Sequence, residues 1–268
     1  MITSTNNAQV KQVMLLNKKS RERKKQDVFL VEGLKMFREA PKERLVKTYI
    51  SESFYQETVQ EQPELVEGID YEIVKDSVFS QMSDTLTPQG ILTIVRQFHY
   101  TLEQLENQDK FGKVKKSPVY LILEDLQDPG NVGTIFRTAE GAGIDGIIMT
   151  KNCVDIYNPK TIRSTMGSIY RVPFICIEDT DEILQWFRER GVSTYAAHLQ
   201  GQHFYDEEDY TKGTAFFIGN EGNGLSDDLS GKADHWIKIP MEGQLESLNA
   251  GVACAILMYE AARQRRAN

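Results

Sequence analysis

Residues 119–137 read VYLILEDLQDPGNVGTIFR: five consecutive apolar positions, a polar loop closing on Pro129-Gly130, then a helix-compatible stretch. A run that is apolar at every position lacks the alternation of a strand with one wet face, so it predicts a strand covered on both sides. The same texture recurs at Ile147–Met149, Phe174–Ile177, Thr194–Ala197, Ala215–Ile218 and Trp236–Ile239, with helical patterns at Val132–Ala142 and Asp181–Arg190. Such strands separated by helices predict an α/β domain on a parallel sheet over residues 118–268. A terminal amphipathic helix is expected at its end, because Leu248, Val252, Ala255, Tyr259 and Ala262 recur at intervals of three or four.

Upstream the pattern is different. Shorter β-rich runs at Val28–Val31, Leu45–Ile50, Tyr71–Val74 and Ile91–Val95 alternate with polar helical stretches, which predicts a smaller α/β domain over residues 1–98. Residues 99–117 are polar and lysine-rich without a sustained period and read as a linker.

With 268 residues, 40% of them hydrophobic, the chain can bury a sizeable core. No apolar run reaches the roughly 18–20 residues of a membrane helix, and residues 1–10 are polar rather than signal-like, so a soluble cytoplasmic protein is expected. Cys153, Cys176 and Cys254 stand far apart, which speaks against a disulfide framework. His99, His198, His203 and His235 show no metal-ligand spacing, so no metal is expected.

The formal charge of −8 would argue against a nucleic-acid partner if it were evenly spread. It is not. Residues 1–50 carry twelve Lys/Arg against five Asp/Glu, a local +7 that leaves −15 on the remaining 218 residues. The densest part holds Lys18, Lys19, Arg21, Arg23, Lys24 and Lys25, after a stretch in which Val10, Val13, Met14 and Asn17 share a helical face. It reads either as a solvated helix end or as a patch for phosphates.

Ligands of a doubly wound sheet bind beyond the carboxyl ends of its strands. Three loops in those places are unusual. In the first, Asn131 falls where a helix N-cap is expected and Arg137 follows nearly two turns on. The second, Gly219-Asn220-Glu221-Gly222-Asn223-Gly224, has three glycines that permit positive φ and close backbone approach. Its Glu221 makes it unlike a phosphate cradle. In the third, from Ile239 to Asn249, Ser247 or Asn249 could cap the terminal helix. Gly141-Ala-Gly143-Ile-Asp-Gly146 matches a dinucleotide fingerprint as a string, but it closes a helix where that fingerprint must open one, so it reads as a helix stop.

Together, Asp128-Pro129-Gly130-Asn131-Val132-Gly133 with Arg137, then Ile218 to Leu225, then Ile239-Pro240-Met241 with Glu246-Ser247-Leu248-Asn249, resemble in order and spacing motifs 1, 2 and 3 of the SpoU/TrmH RNA ribose methyltransferases of the SPOUT superfamily. Phe29-Leu30-Val31-Glu32-Gly33 is similar to that family's N-terminal substrate-binding domain. The resemblance implies a homodimer, a deep trefoil knot in the C-terminal domain, and S-adenosylmethionine as methyl donor. Ile218, Gly219, Asn220, Glu221, Ile239, Pro240 and Met241 would hold the cofactor, largely through backbone, with His198, Leu199, Gly201 and Leu248 around its adenine. It further implies that Arg137 acts at a ribose 2′-hydroxyl, oriented by Asn131, Glu221, Ser247 and Asn249. A guanidinium scarcely deprotonates, so an electrostatic role suits Arg137 better than that of a base. Under that reading the basic N-terminal residues contact RNA phosphates, and ribosomal RNA is expected ahead of transfer RNA. The alternatives are a base-methylating SPOUT enzyme and a non-catalytic RNA-binding or ribosome-assembly factor.

Overall fold

The computed structural model describes residues 1–106 and 117–267. It divides into two compact units: Met1–Phe98 with Asp155–Tyr170, and His99–Val154 with Arg171 onward. Residues 155–170, which the sequence reading assigns to the domain over 118–268, pack with the first unit, a departure that nothing in their apolar pattern signals. Residues 107–116 of the expected linker lie outside the described residues. Residues 99–106 are not loose: Glu103–Leu105 makes a single 3-10 turn whose Leu105 is buried in the core of the second unit, and the Tyr120 hydroxyl donates to the Leu105 carbonyl at 3.3 Å.

The first unit is built from α1 (Ala8–Lys18), α2 (Ser20–Gln26), β1 (Val28–Glu32), α3 (Leu34–Glu39), β2 (Leu45–Ser51), α4 (Glu52–Phe54), β3 (Tyr71–Val74), α5 (Asp76–Met82) and β4 (Ile91–Arg96). The sheet order is β1-β4-β2-β3, with only the β2–β3 pair parallel. Asn7 starts α1 by accepting from Gln9 N, and the helix buries Val10, Val13 and Leu16 against Leu30, Tyr49 and Ile94 of the sheet. Val10 and Val13 of the expected face are buried and Met14 packs partly against the same core, while Leu16, outside that face, is buried with them and Asn17 lies at its margin.

Arg23 departs from the expected basic patch. Its side chain is 3% exposed, its Nε and Nη2 donate to Asp155 Oδ2 at 3.1 and 2.6 Å, and its Nη1 donates to the Leu16 and Asn17 carbonyls. It holds the end of α1 and the segment 155–170 together and is closed to phosphate; Lys18, Lys19, Arg21, Lys24 and Lys25 stay exposed. Asp155→Ala leaves the guanidinium buried without its counter-ion, which typically costs about 3–5 kcal/mol. Chemical denaturation should show that loss, and Asp155→Leu combined with Arg23→Met should recover most of it.

The second unit contains β5 (Val119–Leu123), α6 (Pro129–Ala142), β6 (Gly146–Thr150), β7 (Phe174–Ile177), α8 (Thr180–Glu189), β8 (Ser193–Ala197), β9 (His203–Phe204), β10 (Thr214–Ile218), α9 (Asp227–Gly231), β11 (His235–Lys238) and α10 (Ala250–Ala267), while α7 (Pro159–Thr165) lies in the inserted segment of the first unit. All seven strands are parallel, in the order β7-β6-β5-β10-β8-β11-β9. Every residue of β5 and β10 is buried, as their unbroken apolar runs require. Gly143 caps α6 at φ +73° before β6 begins at Gly146, so the fingerprint-like string is a helix stop. The two-residue β9 is too short for any period and was not foreseen.

The terminal helix forms, but with a different face inward. Cys254, Leu257, Met258 and Ala261 are buried, whereas Val252 and Tyr259 of the expected stripe are about half exposed, at 49% and 46%. Small residues let the opposite face approach α6: a Cβ on Gly251 would stand 3.7 Å from Thr134 Cγ2. Alanine and glycine pack closely while carrying little hydropathy, and the apolar spacing therefore pointed the other way.

Candidate active site

Strand order in the sheet reverses beside β5. From it the chain proceeds outward through β6 and β7, then reappears on the other side with β10 adjacent and β8 and β11 beyond. Such a switch point opens a crevice at the carboxyl ends of the strands. The loops after β5, β8, β10 and β11 all leave from that edge; those after β5, β10 and β11 are the three singled out in the sequence, and the one after β8 is implied by the family resemblance.

The loop after β5 ends at α6, whose N-cap is Asp128: its Oδ1 accepts from Asn131 N at 2.8 Å and Pro129 occupies the first turn. This corrects the expectation for Asn131. Asp before Pro is the stronger start signal, since proline at the first helical position gives up a donor that the helix leaves unpaired anyway. Asn131 is thereby freed for other bonds.

Its Nδ2 donates to Glu221 Oε1 at 3.0 Å, and its Oδ1 accepts from Asn249 Nδ2 at 2.9 Å. Glu221 also accepts from the backbone N–H of Gln127 and Asp128, at 3.1 Å each. Asn249 caps α10 through Oδ1, which accepts from Gly251 N and Val252 N. One chain of bonds thus joins residues 127–131, 221 and 249. Partial burial works against the Glu221 charge, but the bonds from Asn131, Gln127 and Asp128 outweigh it and hold its pKa below the ordinary glutamate value.

The glycine loop is shaped from within. Asn220 and Gly224 exchange backbone hydrogen bonds, Asn220 Oδ1 accepts from Gly222 N and Asn223 N, and Asn220 Nδ2 donates to the Asp125 carbonyl at 2.7 Å. A Cβ on Gly219 would lie 2.1 Å from Gly224 C and Leu225 N, so only glycine fits there. Gly201 is equally constrained, 2.5 Å from Ile237 C, and its N–H closes a turn on the His198 carbonyl. The His198 ring packs at 4.4 Å on Trp236. Asn220 and His198 therefore build the loops; their side chains are spent.

From Ile239 to Leu248, in contrast, no backbone or side-chain group makes a hydrogen bond among the described residues. Ile239, Met241 and Leu248 are half-buried, and Pro240 and Ser247 are exposed. Free main-chain donors and acceptors beside glycine-lined turns and apolar side chains suit a ligand of mixed polarity held mainly through backbone, and S-adenosylmethionine fits that description.

Arg137 stands apart from the network. Six residues beyond Asn131, it points about 120° away around the helix. It is exposed, and among the described residues it makes no hydrogen bond or ion pair. Thr134 and Gly141 share its stripe, and the Tyr259 hydroxyl of α10 lies beside Gly141.

The sequence reading missed Asp125 and Gln127. Asp125 adopts φ +54°; its carboxylate accepts from Thr150 and Asn152, and its carbonyl accepts from Gln127 Nε2. A non-glycine residue in the left-handed region is over-determined by such bonds, and Asp is among the few residue types that tolerate it. No spacing signal marks it.

Residues 118–259 match the SpoU rRNA Methylase family, and residues 7–93 match the MRM3-like substrate binding domain. The chain belongs to the SpoU rRNA methylase family. Among members of this SpoU family, the 23S rRNA (guanosine(2553)-2′-O)-methyltransferase RlmP of Bacillus subtilis is 33% identical, over 96% of this chain and 97% of its own. The AdoMet-bound rRNA methyltransferase of Sinorhizobium meliloti superposes with a TM-score of 0.82 at 29% identity, covering 98% of this chain and 97% of that one. The SpoU methyltransferase AviRb of Streptomyces viridochromogenes, in complex with AdoMet, gives 0.86 at 25% identity over 98% and 100%. The C-terminal SpoU domain is thus a SPOUT parallel-sheet domain preceded by an N-terminal domain.

A depressed carboxylate pKa stabilises the fold fully above the unfolded value, about 4.3, and the contribution fades as pH falls through the lower folded value. Wild-type protein should therefore lose thermal stability more steeply between pH 5 and pH 3 than Glu221→Gln, whose side chain cannot titrate. Equal slopes in the two melting series would remove Glu221 from its bridging role.

Proposed function

We propose that this chain methylates a ribose 2′-hydroxyl of ribosomal RNA with S-adenosylmethionine as donor. The observation that carries the proposal is the convergence of all three motif loops on one crevice, tied by the Asn249–Asn131–Glu221 bonds. When bound, the cofactor supplies an electrophilic methyl group on a sulfonium. The backbone of residues 218–221 and 239–241 would hold it, with Leu199 and Leu248 as apolar surface.

A ribose hydroxyl is a weak nucleophile, and its oxygen gains negative charge as its proton leaves and the new bond to carbon forms. Arg137 has five donors and no partner of its own, and it serves to position that oxygen and stabilise the growing charge. Glu221 is a positioning residue: both its oxygens already accept hydrogen bonds, so neither is free to take a proton. Asn131 and Asn249 are likewise engaged in holding α6 and α10, which leaves Ser247 as the polar side chain of the third motif free to meet ribose or cofactor. Affinity and register come from phosphate contacts of Lys18, Lys19, Arg21, Lys24 and Lys25. The setting is the cytoplasm, where ribosomal RNA is available.

Arg137→Ala should lower turnover on ribosomal RNA by about 10²- to 10³-fold, while calorimetry shows S-adenosylmethionine binding nearly unchanged. Near-normal turnover of that variant would assign the role elsewhere.

We further infer a homodimer. Val252 and Tyr259 of α10 and Thr134, Arg137 and Gly141 of α6 form adjoining exposed stripes, and a second copy covering them would give Arg137 a site to serve. The trefoil knot belongs to the same reading, supported by the return of the chain from β11 to lie along α6. Tyr259→Glu with Val252→Glu should shift sedimentation to the monomer and abolish methylation together.

A further inference from the structure

In the first unit, residues 83–90 form a loop whose tip is Leu86. Its side chain is fully exposed, at 103%, the most exposed of the large hydrophobic residues. An isolated exposed leucine is ordinary on a mobile loop. This loop is tied down on every side.

The Glu32 carboxylate accepts from Ser83 Oγ at 2.7 Å, Thr85 Oγ1 at 3.1 Å and Gln89 N at 3.1 Å. Ser83 Oγ in turn accepts from Thr85 N at 3.0 Å. At one foot Asn17 Nδ2 donates to the Met82 carbonyl at 2.6 Å; at the other, Gly90 adopts φ +78°, its carbonyl accepts from Ser51 N, and a Cβ there would meet Phe54 at 2.5 Å. Six hydrogen bonds and a glycine thus fix the loop on both sides of Leu86 and leave its apolar side chain in water.

The surroundings say what the tip is for. The Asn17 bond fastens the foot of the loop, at Met82, to the end of α1, where the next two residues, Lys18 and Lys19, are exposed. The acidic groups near the tip are engaged: Asp84 is paired with Arg163 at 3.0 Å, and Glu32 is occupied by its three donors. An exposed apolar point on a loop fastened to the helix end that carries two exposed ammonium groups complements a polyanion that offers apolar faces. Single-stranded or bulged RNA does so, because its unstacked bases are available, whereas duplex RNA hides them.

We propose that Leu86 packs on an unpaired base of the substrate RNA, with Lys18 and Lys19 holding the adjacent phosphates, so that the loop 83–90 selects where on a folded RNA the enzyme sits. This rests on the RNA-methyltransferase reading above. It adds a residue that acts far from the reacting atoms in the sequence and reads unpaired structure.

The test uses the full-length protein with two probes: protein-free 23S ribosomal RNA and a perfectly paired RNA duplex. Leu86→Ser should weaken binding to the ribosomal RNA by about tenfold, leave duplex binding unchanged, and keep the salt dependence of wild type. Lys18→Ala with Lys19→Ala should weaken both probes and flatten the salt slope by about 1 to 2. Thr85→Val, which frees the loop while retaining Leu86, should reproduce part of the Leu86→Ser loss and add little to it in the double variant. An unchanged far-ultraviolet circular dichroism spectrum and a single cooperative melting transition certify that each variant is folded. Wild-type affinity in Leu86→Ser, or an equal loss on both probes, overturns the proposal. Wild type that binds ribosomal RNA without methylating it would instead sink the functional reading and leave the role of Leu86 standing.

Discussion

Everything at the carboxyl edge of the large sheet hangs on one carboxylate. Glu221 lies in a loop after β10, yet its bonds go to residues 127, 128 and 131 around the start of α6, and through Asn131 they extend to the cap of α10. Three segments separated by about ninety and thirty residues are held by donors and acceptors that match one to one. Because two of the donors are backbone N–H groups at a helix start, where donors are unpaired and the dipole favours negative charge, the carboxylate is stabilised by the element it fastens.

That arrangement separates building from reacting. Residues drawn from all three motifs spend their polar atoms on one another, and the glycines at 201 and 219 are required by backbone contacts of 2.5 and 2.1 Å rather than by flexibility. What remains unspent among the described residues is the main chain from Ile239 to Leu248, the polar side chains of that segment, Ser247 among them, and Arg137. A site made this way offers a rigid frame with a few free groups, which is what electrostatic stabilisation of a developing charge requires.

Much of this was legible in the sequence, for physical reasons that differ by element. β5 and β10 announced themselves because a strand buried on both faces must be apolar throughout, and the loops after them because Pro-Gly and repeated Gly have few other uses. α10 was misread in orientation: its buried face is made of alanine, glycine and cysteine as much as leucine, so hydropathy favoured the half-exposed Val252 and Tyr259. Arg23 was misread in kind. Its charge is indistinguishable in sequence from its neighbours at 21, 24 and 25, and only the arrival of Asp155, 132 positions later, turns it inward. Long-range pairing leaves no local trace, and the same holds for Asp125, whose left-handed backbone is fixed by Thr150 and Asn152.

The burial of Arg23 sharpens the electrostatic reading of the N-terminal half. A charge that is paired in the interior contributes nothing to a phosphate field outside, so the useful positive potential of the α1–α2 corner belongs to the five residues left in water. Fixing one arginine inside also fixes the end of α1, and with it the directions from which Lys18 and Lys19 project. On the proposed reading, the ion pair therefore does not compete with nucleic-acid binding. It converts what would be a flexible run of like charges, spread by mutual repulsion, into a patch of defined geometry on a folded corner, and register on a structured RNA needs defined geometry more than it needs one more charge.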